Sequence, residues 1–360
     1  MLREATDSET ADHGPVTGRA GGLARTAVPL AVLGVAFVVI SLAATSVGRF
    51  GVPFPHVLEI VVGRVVPLHR SWTDAEQNVV LLVRLPRILL AALVGGGLAA
   101  GGAALQATFR NPLVSPEIIG VSSGASLGGV LALLFGLGAV FQVGGAFCFG
   151  VFALALVYGI TASRSAVPVL MIVLAGVVTG AFFSALVSLV TYVADPYTTL
   201  PAIVFWLLGS VASATYAKVT LAALPILAGV ALLVSLRWRI NVLSLGDEDA
   251  ASVGLRPRRL RWAVLAAVAL VVAGAVAVSG VISWVGLVVP HLVRMWVGPD
   301  HRVLLPASVL MGAIYLVGMD TLARTLTAGE VPLGVLTATV GAPTFFVLLR
   351  RNRHRIWDHA

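Results

Sequence analysis

The chain has 360 residues, 58% of them hydrophobic and 11% charged, with a mean hydropathy of +0.99. A water-soluble core cannot absorb that much apolar sequence, which excludes an ordinary globular domain and makes the bilayer the solvent. The formal net charge of +8 invites a nucleic-acid reading, but the arginines mark the ends of apolar runs and form no basic stripe interleaved with stacking aromatics.

The first 26 residues are polar and small and include Arg3, Arg19 and Arg25; they are expected to form a disordered cytoplasmic tail in front of a signal anchor. A spanning helix needs roughly 20 predominantly apolar residues. Runs of that order follow at Ala27 to Val47, Ile88 to Thr108, Ile118 to Leu137, Phe141 to Ala162, Ala166 to Val193, Val219 to Leu236, Trp262 to Ser279, Val281 to Val297, Val303 to Leu322 and Pro332 to Leu349. Continuous apolar composition argues for helices, because a barrel would show short alternating segments. The expected fold is therefore an all-α polytopic membrane protein with about ten transmembrane helices in a single domain over residues 27–351, followed by a cytoplasmic tail over 352–360.

Two connecting segments are too long for turns. Residues 48–85 contain the apolar piece Val57 to Val66, a candidate interfacial helix. Residues 241–261 contain LGDEDAASVGL, from Leu245 to Leu255, which reads as a short helix with Asp247, Glu248 and Asp249 in its first turn and Gly254 at its C-terminal cap. Glycines four apart, Gly97 with Gly101, Gly120 with Gly124 and Gly128, and Gly176 with Gly180, lie in apolar runs and imply close helix packing. Asn111, Pro112 and Pro116 break an inner turn, while Pro290 and Pro343 interrupt later spans as kinks or hinges. Trp206, Trp238, Trp262, Trp284 and Trp296 lie near span ends, as interfacial aromatics do.

With ten spans and the amino terminus inside, 17 of the 24 Lys and Arg residues fall on the inner side. The outer side receives Arg49, Arg64, Arg70, Arg84, Arg87, Lys218 and Arg324. This agrees with the positive-inside rule and places both termini in the cytoplasm.

The chemistry is defined mainly by what the spans lack. Cys148 is the only cysteine, so no disulfide forms within the chain, and the seven histidines have no metal-ligand spacing. The only lysine, Lys218, follows Ala217 and not a glycine-rich turn, so there is no Walker-type ATP site. All sixteen acidic residues sit in loops or near the ends of apolar runs, which disfavours coupling through an intramembrane carboxylate. A passive pore, an assembly subunit and a permease driven by a separate ATPase remain. Paired carboxylates or a nucleophile with its base within the spans, which intramembrane enzyme chemistry would need, are not evident.

The run RLPRILLAALVGGGLAAGGAALQATFRNPLVSPEIIGVSSGASLG, from Arg84 to Gly128, resembles the permeases of iron-siderophore, haem and cobalamin ABC importers, the FecCD family. LGDEDAASVGL at 245–255, SGVISWVGLVVPHLVRMWVGPDHRVLLPAS at 279–308, MDTLART at 319–325 and EVPLGVLTATVGAPTFFVLLRR at 330–351 agree with it in order and spacing. The resemblance implies a type II ABC importer permease fold in a bacterial inner membrane, paired with a second permease subunit as a homodimer or close heterodimer. Two cytoplasmic ATPase subunits would bind ATP and Mg, leaving no cofactor in this chain, and an extracytoplasmic substrate-binding protein would dock on the outer face. The family's docking arginines correspond to Arg84, Arg87 and Arg324, which the residues alone leave open as snorkelling side chains. Its coupling segment corresponds to Leu245, Gly246, Asp247, Glu248, Ala250, Ala251, Gly254 and Leu255. The implied cargo is a ferric siderophore, with cobalamin or haem as alternatives; a stand-alone channel or secondary transporter is the competing class. Trp284 departs from the family's commoner smaller or different aromatic residue, which leaves open whether it narrows the pathway.

Overall fold

The computed structural model describes residues 19–351 apart from 65, 68, 162–168 and 328. Of the tail expected over 1–26, residues 1–18 lie outside the described residues, as do the tail expected over 352–360 and Arg3, Arg164, Arg353 and Arg355. Among the described residues there are helices and turns but no strand.

Each of the ten apolar runs carries a helix. These are α1 (Arg19–Ser46), α4 (Leu85–Thr108), α5 (Val121–Leu134), α6 (Gly138–Thr161), α7 (Val169–Val193), α9 (Tyr216–Ser235), α12 (Pro257–Ser279), α13 (Val285–Val297), α14 (His301–Leu326) and α15 (Leu333–Arg351). Between them lie α2 (Phe54–Val62), α3 (Asp74–Asn78), α8 (Thr199–Leu207), α10 (Arg237–Leu243) and α11 (Asp247–Ser252). The first helix begins at Arg19, ahead of the start expected at Ala27. The interfacial piece expected at Val57 to Val66 is α2, which opens behind Pro53 and buries Val57 and Ile60.

Among the described residues, seven helices are long and apolar enough to cross a bilayer, whereas α5 and α13 are shorter. At 1.5 Å per residue, the 14 residues of α5 reach only about 21 Å, short of the roughly 30 Å hydrocarbon core. Helices α5 and α13 therefore begin or end inside the bundle. Sequence reading extended α5 and α13 to full spans because the breaks beside them are themselves apolar.

Helix α4 is the central post. A π-helical turn over Val79–Arg84 runs directly into it, and it is buried along nearly its whole length against α9, α12, α13 and α14. A second group, α5, α6 and α7, packs around Leu127, Val130, Ala153 and Phe183. One end of the bundle carries Arg84 and Arg87 at the start of α4; the opposite end carries α10 and α11. They are called the Arg87 end and the Asp247 end.

Where lipid is as apolar as leucine, helices associate through close backbone approach more than through hydrophobic exclusion. The glycine pairs do this. A Cβ on Gly124 would meet the Phe149 carbonyl of α6 at 2.6 Å, and one on Gly97 would sit 2.9 Å from Ile226 of α9 and from Val271 of α12. Two closer approaches were not read from the sequence: Gly95 against Gly312, and Gly102 against Gly286. The second seats the start of α13 directly on α4.

Gly102→Ala should therefore lower the thermal midpoint of the purified chain in detergent by the equivalent of about 1–3 kcal/mol, because its new methyl overlaps backbone that cannot move aside. Gly159→Ala, where nothing lies within 4 Å, is the matched control and should leave the midpoint unchanged or slightly raised.

Candidate translocation site and its flanking contacts

The short helices converge at one level of the bundle. The chain leaves α4 at Thr108, turns at Arg110, which has φ 50°, and returns along the face of α4 until Pro116 packs against Gly286 and lies 3.8 Å from where a Cβ of Gly101 would be. A 3₁₀ turn, Pro116–Ile119, ends on Gly120, whose φ of 81° suits glycine and starts α5. Helix α8 stops at Leu207, α12 stops at Ser279, and α13 and α15 begin at Val285 and Leu333.

Helix ends inside a bilayer expose amides and carbonyls that lipid cannot satisfy. Here the ends satisfy one another. The Ser210 amide donates to the Ser279 carbonyl at 2.7 Å, and the amides of Leu333 and Gly334 donate to the carbonyls of Gly209 and Leu208 at 2.9 and 3.0 Å. Gly209 and Gly280, with φ 73° and 67°, permit the sharp turns. Trp284 also has a left-handed φ, 71°, which is costly for a side chain of that size, on the order of 1–3 kcal/mol. Glu117 holds it there: its carboxylate accepts from the Trp284 amide and the Ser283 hydroxyl, at the positive end of α13. The Trp284 ring packs in an edge arrangement on Phe345 of α15, with centroids 6.5 Å apart.

Sequence reading put Glu117 near the end of a span, and so it is along the chain. Its depth is different. The short α5 starts level with the middle of α4, so Glu117, in the turn before it, is carried to that depth beside Leu98 and Ser279, with its side chain open to the basin.

Beside Glu117 opens a basin of about 410 Å³, lined by Ser122, Ser123 and Ser126 of α5, Ser184 and Ser188 of α7, and Ser283. Ser184 donates to Ser123 at 3.3 Å. Among the described residues, no basic side chain lines it. These serines were missed because the glycines interleaved with them drew the packing interpretation. The available signal was their spacing, 122 with 126 and 184 with 188, which places polar groups on one face of each apolar helix.

At the Arg87 end, the three arginines singled out in the sequence come together and turn inward, each less than 8% exposed. Arg87 reaches Asp320 of α14 at 2.8 Å through Nε and Glu330 at 3.0 and 3.1 Å through its two terminal nitrogens. Arg84 donates to the carbonyls of Thr45, Ser46 and Phe50 at the end of α1. Arg324 donates to the Ala44 carbonyl and lies 4.0 Å from Asp320. The cluster fastens α1, α4 and α14 together.

At the Asp247 end, the segment 245–255 is the short helix expected. Asp247, Glu248 and Asp249 form its first turn, and Gly254, with φ 81°, closes it: the amides of Gly254 and Leu255 donate to the carbonyls of Ala251 and Ala250. Ala250 and Gly246 face inward; Leu245, Glu248, Ala251 and Val253 are exposed. An ion pair from Arg261 to Asp247 ties the segment to α12. Helix α10, unread in the sequence because its arginines resembled a loop, buries Ile240 and Leu243 beneath it.

A bundle of apolar helices broken around a polar mid-depth basin, with a small docking-sized helix at one end, is the architecture of a multi-pass membrane permease. The chain belongs to the FecCD transport family, which it matches over residues 35–351. It is 42% identical to the molybdate import system permease of Haemophilus influenzae over 312 residues, 87% of this chain and 92% of that one. It is 39% identical to the cobalamin import system permease of Halobacterium salinarum over 308 residues, 85% and 81% of the two chains. Among solved structures it superposes on a chain assigned to a metal-chelate type ABC transporter in an inward-facing conformation, with a TM-score of 0.80, 40% identity, and coverage of 89% of this chain and 98% of the other. The expected fold, an ABC importer permease, is thereby established.

Asp320 is 1% exposed and balances buried guanidinium charge. Asp320→Asn should cost about 3–5 kcal/mol, because breaking a buried pair leaves an uncompensated charge. The double substitution Arg87→Met with Asp320→Leu should recover most of that loss. Thermal unfolding of the three variants in detergent would check it; a single substitution as stable as the parent would show that the pair does not hold α4 to α14.

Proposed function

We propose that this chain is the permease subunit of an ATP-driven importer for a metal chelate, a ferric siderophore foremost, with the Arg87 end outside the cell and both termini and α11 in the cytoplasm. The distribution of Lys and Arg between the two sides supports that orientation. The observation that carries the cargo assignment is the serine basin. Polar faces on membrane helices turn toward protein or water and away from lipid, so the α5 and α7 faces bearing Ser123, Ser184 and Ser188 line a water-filled path closed by a second permease subunit. Hydroxyl groups and one carboxylate, with no cation, suit a bulky chelate rich in its own hydrogen-bonding groups. A small bare oxyanion such as molybdate would meet Glu117 with no positive charge to offset it. Cobalamin and haem are the remaining cargoes.

Work would come from two ATPase subunits pressing on α11, where Leu245, Glu248, Ala251 and Val253 are exposed and Gly246, Asp247, Ala250, Gly254 and Leu255 hold the helix in place. The bundle then rocks between outward- and inward-open states as packed units. A stand-alone channel or secondary transporter would need no such partner.

The test is uptake into liposomes by the chain assembled with its ATPase and binding protein. Radiolabelled ferric siderophore should accumulate only with ATP, and excess molybdate should not compete. Saturable molybdate or cobalamin uptake without chelate uptake would overturn the cargo, and accumulation by the chain alone would overturn the class.

Docking of the binding protein is proposed at the Arg87 end, drawn by Arg84, Arg87 and Arg324. Three guanidinium groups face two carboxylates there, leaving one positive charge in excess. Glu330 is the more exposed partner of Arg87, so Glu330→Gln should raise that excess and tighten docking severalfold at low salt, with the gain lost as ionic strength rises. Calorimetric titration of the binding protein against both forms would read this. Affinity indifferent to salt and to the substitution would remove the arginines from the docking role.

A further inference from the structure

A groove of about 470 Å³ runs between α6, α9 and α12, lined by none of the residues of the serine basin. Its walls are apolar, with Phe147, Leu224, Pro225, Ala228 and Leu270 among them. It exists because two glycines leave room: nothing lies within 4 Å of where a Cβ on Gly144 would stand, and Gly274 lets Pro225 pack close to α12. Toward the Arg87 end it continues into a second recess of about 300 Å³, the two sharing Val143, Ala277 and Val278.

The second recess is apolar over most of its wall as well, but it carries polar side chains, which the first does not. It is lined by Gln142, Ser210, Ser213 and Lys218 beside Trp206. Lys218 is the chain's only lysine; it stands in the first turn of α9 and donates from Nζ to Ser213 Oγ at 2.7 Å. Among the described residues, no carboxylate lines either recess. From Lys218 to Ala228 along α9 is ten residues, about 15 Å, which is roughly half the thickness of a bilayer's hydrocarbon core.

We propose that the two recesses together form a binding site for an anionic phospholipid: the phosphate sits against Lys218, Ser213 and Gln142, and one acyl chain lies in the groove between α6, α9 and α12. An ammonium beside hydroxyl and amide groups suits a phosphate ester. An apolar groove of this depth opening directly below that pocket suits a chain covalently joined to the phosphate. A free phosphate would leave the groove without an occupant. The two recesses share no lining residue with the serine basin.

The test is native mass spectrometry of the full purified chain released from nanodiscs containing equal parts phosphatidylglycerol and phosphatidylcholine, with thermal unfolding to confirm that each variant is folded. The parent chain should retain phosphatidylglycerol in preference. Lys218→Ala should reduce that preference roughly fivefold, the worth of one lysine at an anionic surface. Gly144→Leu, whose Cβ would meet nothing within 4 Å and whose side chain would occupy the groove, should reduce retention of both lipids while leaving Lys218 in place. Inorganic phosphate at millimolar concentration should displace neither lipid. Equal retention of the two lipids by the parent, an undiminished preference in Lys218→Ala, unchanged retention in Gly144→Leu, or displacement by inorganic phosphate would each overturn the site.

Discussion

The structure depends on a rule of the bilayer interior: a backbone amide or carbonyl there finds no water, so every break in a helix must be matched by another break. Four helix ends meet at mid-depth, and the exchange among residues 208–210, 279 and 333–334 is what permits non-helical backbone at that level. Glu117 completes it by capping α13 through Trp284 and Ser283. The serine basin exists because the breaks create space and the space needs polar walls.

The same rule explains the placement of the tightest glycines. Hydrogen bonds between helix ends form only if the helices that carry them approach to within backbone contact. Gly102 against Gly286 seats α13 on α4, and Gly176, whose Cβ would overlap the Ile118 carbonyl, holds the turn before α5 against α7. Each brings a broken segment to the depth at which the others end. The Arg87, Asp320 and Glu330 pairs do comparable work farther along α4, where α14 must stay in register through Gly95 and Gly312.

Much of this was legible in the sequence, and the illegible part has definite physical causes. All ten apolar runs became helices, and Leu245 to Leu255 became a capped helix, because span length and Asp-rich first turns are local signals. Helices α8 and α10 were not anticipated: α8 is short and flanked by turns, and Arg237 and Arg239 in α10 read as a charged loop. The depth of Glu117 was hidden because sequence position gives distance from a helix end and not distance from the membrane surface. The direction of Arg84, Arg87 and Arg324 was hidden for a related reason. An arginine at a helix end has the same local pattern whether it points to water or to a carboxylate 233 residues away.

The arrangement also constrains how work applied at the Asp247 end could reach the basin under the proposed function. Helix α11 is tied to α12 by the Arg261 to Asp247 pair, and α12 runs without a proline after its first residue from Pro257 to Ser279, about 33 Å from first to last residue. Its far end carries the carbonyl that accepts from Ser210 and leads, through Gly280, into the turn that Glu117 caps. A displacement of α11 is therefore delivered by one stiff helix to the junction that shapes the basin. Side chains packed as densely as those between α4 and α12 do not absorb motion gradually, so the displacement is taken up where the backbone already turns, at Gly280 and Gly209. The glycines that allow the breaks are also the points about which the basin can change shape.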